Sequence, residues 1–272
     1  MVRQALVVRD LGTLKGEVLI FGGPYSNLQA TRAFIAQAVE RGVDPSNCIC
    51  TGDVVAYCAD AAATVAEIRA FGGPVVAGNC ERQLAARAGD CGCGFEAGSS
   101  CDVLASGWYA HADRNIGDDD RNWMRQLPDI VSFRHGRRRY AVIHGGATDV
   151  ARFLWPTSDS GEFLEEVDVI EAIVGGVDRV IAGHAGLAFW RDLGRVQWIN
   201  AGAIGMPPHD GRPETRFAAL SGGGAVFHRL SYDHEAAARA MTQASLTQGY
   251  ERGLSTGRWP SEDVLPDALR RG

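Results

Sequence analysis

Short apolar runs closed by glycine alternate along the chain with stretches whose apolar positions recur every three to four residues. Residues 16–22 (GEVLIFG) form one such run, and across 27–41 the apolar residues Leu28, Phe34, Ile35 and Ala38 fall at helical spacing. The pair predicts a strand, a turn and a helix. The same unit recurs as 47–51 (NCICT) with a helix over 60–71, and as 75–77 with a helix over 81–87. Repeated β-then-α units imply parallel strands covered by helices.

Between about 89 and 117 the pattern gives way to Gly, Ser and Cys (GDCGCGFEAGSSC), which reads as an inserted cap loop. Strands are predicted again at 139–143 (RYAVI) and 179–182 (RVIA), with a helix over 162–174 between them. The runs at 196–200, 217–220 and 225–230 suit antiparallel strands that finish a second sheet. A last helix is predicted over 233–243. The tail from 253 reads as irregular, yet Trp259, Val264 and Leu265 suggest that it docks. The expected organisation is one domain over 1–272, with the cap at 89–117 and a docked tail from about 250.

At 272 residues, 46% hydrophobic and 22% charged, the composition is that of an ordinary globular domain. A net charge of -6 without a basic stripe argues against a large nucleic-acid interface. No run is long and apolar enough to span a bilayer, and the first residues lack the apolar core of a signal peptide. A cytoplasmic protein with no membrane partner is expected, and self-association stays open. Seven scattered cysteines suggest reduced thiols, and Cys91, Cys93 and Cys101 lack the paired spacing of a structural zinc site. Residues 137–139 read as a solvated hairpin turn, and Asp118 to Asp120 as a helix N-terminus.

In open α/β sheets ligands bind beyond the carboxyl ends of the strands, which directs attention to four residues. Asp53 follows NCICTG, Asn79 follows VVAG, His144 follows RYAVI and His184 follows RVIAG. Singly, Asp53 and Asn79 suit caps or turns, and each histidine suits a satisfied polar group at a strand end. Together, carboxylate, amide oxygen and two imidazoles make a donor set for one divalent ion such as Mn, Zn or Fe.

The order and spacing of these residues resemble the calcineurin-like metallophosphoesterases, especially their small bacterial and archaeal phosphodiesterase branch. Of that family's blocks, roughly D-x-H, G-D, G-N-[HC]-[DE], H-G and G-H-x-H, four are legible as Gly52-Asp53, Gly78 to Glu81 (GNCE), His144-Gly145 and Gly183-His184. Asn200 to Gly205 (NAGAIG) resembles a further conserved turn of the family. The resemblance implies an α/β fold, a two-sheet β-sandwich of mixed strands flanked by helices in four layers. It also implies metal-dependent hydrolysis of a small phosphomonoester, phosphodiester or nucleotide.

The pattern breaks in the first block, where GGPYSN places Gly23 and Tyr25 at the Asp and His positions, and in the last, where Gly186 replaces the second His. By the resemblance, all three belong to the first metal, of whose ligands only Asp53 survives. The second metal's set, Asp53, Asn79, His144 and His184, is complete, which implies one metal ion. Asn27 matches the family, and Asn27 and Tyr25 are candidate substrate or phosphate contacts; Tyr25 equally suits packing on the sandwich. Cys80 stands where many relatives carry a His that assists the leaving group, so it is a candidate catalytic group or else a small buried hydrophobe. Two further readings stand beside hydrolysis: a catalytically silent protein that binds a nucleotide, a phosphate ligand or a partner, and a first metal pocket rebuilt from Asp149, His209 or Tyr25.

Overall fold

The computed structural model describes residues 5–94, 98–221 and 224–271. Its strands are β1 (Val8–Leu14), β2 (Val18–Phe21), β3 (Cys48–Cys50), β4 (Ile130–His135), β5 (Arg138–Val142), β6 (Arg179–Ala182), β7 (Ala188–Asp192), β8 (Gln197–Ala201), β9 (Thr215–Ser221) and β10 (Gly224–Leu230). The helices are α1 (Leu28–Glu40), α2 (Ala61–Phe71), α3 (Asn79–Ala86), α4 (Ser100–Asn115), α5 (Asp118–Arg125), α6 (Ser160–Val174), α7 (His234–Gln243) and α8 (Tyr250–Thr256). The strands form a six-stranded sheet in the order β1-β4-β5-β6-β8-β7 and a four-stranded sheet in the order β10-β9-β2-β3.

Alternation along the strands sorts their side chains into layers. In β2, Val18 and Ile20 meet Ile181, Ile199 and Val142 of the large sheet, whereas Leu19 and Phe21 face Phe34 and Ala38 of α1. In β5 and β6, Ala141 and Val180 turn away from the sandwich onto Phe163, Val167 and Ile170 of α6. Most helices cover the small sheet and α6 covers the large one. The result is the four-layer α/β/β/α sandwich of mixed strands that the family resemblance implied.

Three strands, β1, β4 and β7, escaped the sequence reading. β1 and β7 lie at sheet edges and carry mostly exposed or half-buried side chains, so neither shows an apolar run. β8 corrects the expectation of an antiparallel strand in the second sheet. It lies in the large sheet, parallel to β6, with Ile181 opposite Ile199. The β7–β8 hairpin inserts its apolar member, with Trp198, Ile199 and Ala201 buried, and leaves the more polar β7 at the rim.

The segment at 89–117 is also corrected. Residues 95–97 lie outside the described residues, but from Ser100 the chain is a sixteen-residue helix, α4, capped by Ser99 accepting from the Asp102 N–H. Its buried face, with Ala105, Trp108, Tyr109 and Ala112, repeats at helical spacing beneath a Gly- and Ser-rich start. Cys91 and Cys93 lie side by side with their α-carbons 5.4 Å apart, and the other five cysteines are free and buried. Residues 250–256 of the tail are helical, and beyond them Trp259, Val264 and Leu265 pack with Phe153 and Trp155. Among the described residues no helix is long and apolar enough to cross a membrane.

Candidate metal centre

Asp53, His144 and His184 are carried to one point by the turn after their strands, and Asn79 joins them from the start of α3, where the strand expected at 75–77 is reduced to a single bridge between Val75 and Cys50. Beyond β3 the chain passes through Gly52 at φ 99° and Asp53 at φ 53°. A Cβ on Gly52 would lie 2.7 Å from the Gly78 nitrogen and 2.8 Å from His144 Nδ1, so only glycine lets these loops close. The left-handed Asp53 is held by Glu81, whose carboxylate accepts the N–H groups of Asp53 (2.8 Å), Gly78 (2.9 Å) and Val55 (3.3 Å). Glu81 thus caps the first turn of α3 and locks the Asp53 turn with one side chain. Burial, followed by the charge of Asp53, pushes its carboxyl up to about 7.

Asn79 opens α3, and its Nδ2 donates to the Cys91 carbonyl oxygen at 2.8 Å, which leaves Oδ1 facing His144 Nε2 at 3.1 Å. His144 follows β5, and its Nδ1 lies 2.7 Å from the Thr51 carbonyl oxygen. A carbonyl only accepts, so Nδ1 carries the proton and Nε2 faces inward. That nitrogen is 3.2 Å from Asp53 Oδ2 and 3.0 Å from His184 Nδ1. His184, just after β6, lies 4.0 Å from the same Asp53 oxygen, with the Phe153 ring 4.2 Å from its own.

The donor atoms of Asp53, His144 and His184 all fall within 4.8 Å of one another, and among the described residues this is the His, Cys, Asp and Glu cluster that could hold a metal. With the Asn79 oxygen beside them, lone pairs face lone pairs inside a buried site, an arrangement that a cation resolves. The mixed nitrogen and oxygen set fits a first-row divalent ion. Charges respond accordingly. For Asp53, burial acts to raise the pKa, but the positive field and hydrogen bond of His144 outweigh it and hold the carboxyl below its usual value. For His144, burial acts to lower it, and Asp53 outweighs that to raise the imidazole above its usual value. Burial and then the neighbouring His144 push His184 down to about 3.

The three departures from the family pattern meet in one place. A Cβ on Gly23 would overlap the Tyr25 ring, and a Cβ on Gly186 would lie 3.8 Å from the Tyr25 hydroxyl. The ring of Tyr25, 4% exposed and at φ 53°, therefore fills the room over Gly23 and reaches toward Gly186. Burial, followed by the negative field of Asp53, drives its hydroxyl well above the usual phenol range, so the hydroxyl stays protonated where no cation touches it.

Asn27, the other candidate substrate contact, is engaged within the fold. Its Oδ1 caps α1 by accepting the Ala30 N–H at 3.0 Å, and its Nδ2 donates to the Gly205 carbonyl at 2.9 Å, all fully buried. Cys80 is 1% exposed, and burial, then Asp53 and Glu81, hold its thiol well above the usual range. Its surroundings suit a packed, protonated thiol. Asp149 accepts the Ala151 N–H within a turn, and His209 accepts the Trp259 N–H at Nδ1 while Nε2 meets Glu262 at 2.7 Å. Neither joins the cluster, so neither rebuilds a first metal pocket. The sequence reading passed over the role of Glu81, although its spacing from Gly78 is that of a capping-box acid. It also passed over Thr51, which acts through a backbone oxygen and leaves no side-chain signal.

Comparison with known proteins bears on the fold and the family. None of the curated proteins matches the chain. Among solved structures, a hypothetical protein from Pyrococcus horikoshii OT3 is similar with a TM-score of 0.71 at 14% identity, covering 90% of this chain and 99% of that one. A metallophosphoesterase from Sphaerobacter thermophilus is similar with a TM-score of 0.67 at 18% identity, covering 90% of this chain and 100% of that one. At such identities the likeness is one of fold. The model of the calcineurin-like phosphoesterase superfamily domain matches residues 19–221, a span that contains all four strand-end residues, and the chain belongs to that superfamily.

Proposed function

We propose that the chain is a metal-dependent phosphoesterase that hydrolyses a small phosphomonoester or phosphodiester about one divalent cation held by Asp53, Asn79, His144 and His184. The observation that carries this reading is the lock on the donors. The Thr51 carbonyl fixes the His144 tautomer, and the Cys91 carbonyl fixes which way the Asn79 amide points. Such outer partners orient metal ligands and tune their basicity. A bound divalent ion would polarise a phosphoryl oxygen and lower the pKa of its water.

The chain's own groups supply the rest. Asp53, held ionised by its histidine neighbours, offsets charge and orients the site. Tyr25 presents a neutral hydroxyl on the side where a second cation would otherwise stand, and there it donates a hydrogen bond to a phosphoryl oxygen. Phe153, against the His184 ring, keeps water from that ligand.

The test is a measurement of bound metal followed by hydrolysis of bis(p-nitrophenyl) phosphate and p-nitrophenyl phosphate with added Mn²⁺, in the wild type, Asp53→Asn and His184→Ala. About one equivalent of metal with turnover lost in both variants is the expected result. Turnover that survives both substitutions overturns the assignment. Metal bound without any turnover would favour the silent binding protein, a reading that the filled room beside Gly23 also supports.

A further inference from the structure

A cavity opens directly beside His184. Concave, mostly apolar clefts of this kind take small molecules. Its walls come from distant parts of the chain: Tyr25 and Tyr57 on one side, Phe153 and Trp155 on another, and Trp259 with Val264 from the tail. The Phe153 and Trp155 rings stack at 5.1 Å and 3°. Tyr57 meets Tyr25 edge-on at 4.8 Å. The Trp259 indole N–H is taken by the Pro207 carbonyl at 2.7 Å, which leaves the ring carbons to the cavity.

Charge is what the cavity lacks. Among the described residues that line it there is no Lys, Arg, Asp or Glu. A second phosphate group entering it would lose its hydration without a cation to replace it. A flat uncharged ring would instead bury both faces against aromatic walls.

We infer that this cavity takes the uncharged aromatic group, aryl or nucleobase, of a phosphate ester whose phosphorus sits at the metal centre. His184 belongs to both sites and fixes their relative placement, and the inference rests on the phosphoesterase reading of that centre. The docked tail then has a role beyond stability, since Trp259 and Val264 form one wall of the specificity pocket.

The test reads binding, with turnover measured separately, on the full chain with Mn²⁺. Diphenyl phosphate, the methyl ester of thymidine 5′-phosphate and dimethyl phosphate are titrated by calorimetry and by tryptophan fluorescence. One of the two aromatic esters is expected to bind about 10- to 100-fold more tightly than dimethyl phosphate, the gain from burying one ring, and which one does so separates aryl from nucleobase. Trp259→Ala should bring the preference to within about threefold by opening the wall. Val264→Trp, at a half-buried position, should do the same by filling the space, and it stands in if the first variant fails to fold. Equal affinity for all three esters overturns the inference, as does a preference unchanged in the variants. Absence of hydrolysis alongside a clear aromatic preference would count against the phosphoesterase reading alone.

Discussion

The Tyr25 ring lies over the α-carbon of Gly23 so closely that a Cβ there would come within 2.6 Å of ring carbon Cε2. Glycine at 23 and tyrosine at 25 are therefore one substitution in physical terms, a ring in the room of an acidic side chain. Gly23→Ala should cost about 1–3 kcal/mol by overpacking. Most of that cost should vanish when Tyr25→Ala is already present, because backbone strain at residue 23 is common to both backgrounds and cancels in the cycle. Urea unfolding of the four proteins measures it; equal costs in the two backgrounds would show that something other than the ring excludes a side chain.

Metal binding should release a proton. His144 is raised above the usual histidine value by Asp53, so below that raised pKa an entering cation must displace its proton. Affinity should therefore weaken as the pH falls, by roughly tenfold per unit, and level off once the pH exceeds the raised value. Calorimetry in buffers of different ionisation enthalpy, between about pH 6 and pH 8, counts the protons. A flat profile would contradict the pairing of His144 with Asp53.

Glu81 is a positioning residue for the centre. Glu81→Ala leaves three N–H groups in a buried turn without their acceptor, and a loss of about 2–4 kcal/mol is expected. Metal affinity should fall with it, because the N–H of the left-handed Asp53 then loses its acceptor. Glu81→Gln keeps one acceptor oxygen and should recover most of the affinity. The readouts are thermal unfolding and metal titration, and an Ala variant that binds metal normally would refute this role.

Asn27 should prove structural. Asn27→Ala removes the cap of α1 and the bond to Gly205, for about 1–2 kcal/mol of stability. Any KM should stay within about twofold of wild type, because no polar atom of Asn27 is left for substrate. A raised KM with unchanged stability would return Asn27 to the substrate site.

The β-α alternation and the polar residues that follow the apolar runs were legible in the chain because both rest on local pattern, whereas the sandwich and the ligand set came from the family resemblance. Buried parallel strands read as apolar runs, as in VLIF and RVIA, and the turn after each strand places its polar residue at the sheet's carboxyl edge whatever the rest of the fold does. Edge strands β1 and β7 were not legible, because half of their surface faces solvent and no apolar run is required there. The place of β8 depends on which strand of a hairpin is the more apolar, a comparison that matters only once β6 offers an open edge.

The sequence by itself carried the resemblance by which Asp53, Asn79, His144 and His184 match one set of family ligands while Gly23, Tyr25 and Gly186 depart from the other. Only the tertiary structure decided what stands in the broken site. Whether residue 25 packs, ligates or touches substrate depends on atoms far along the chain, the backbone of Gly205 and the ring of Trp259 among them. The same holds for the cavity beside His184. Its aromatic walls come from residues 25, 57, 153, 155 and 259, which share no spacing or motif and meet only because the sheet edges and the docked tail bring them together.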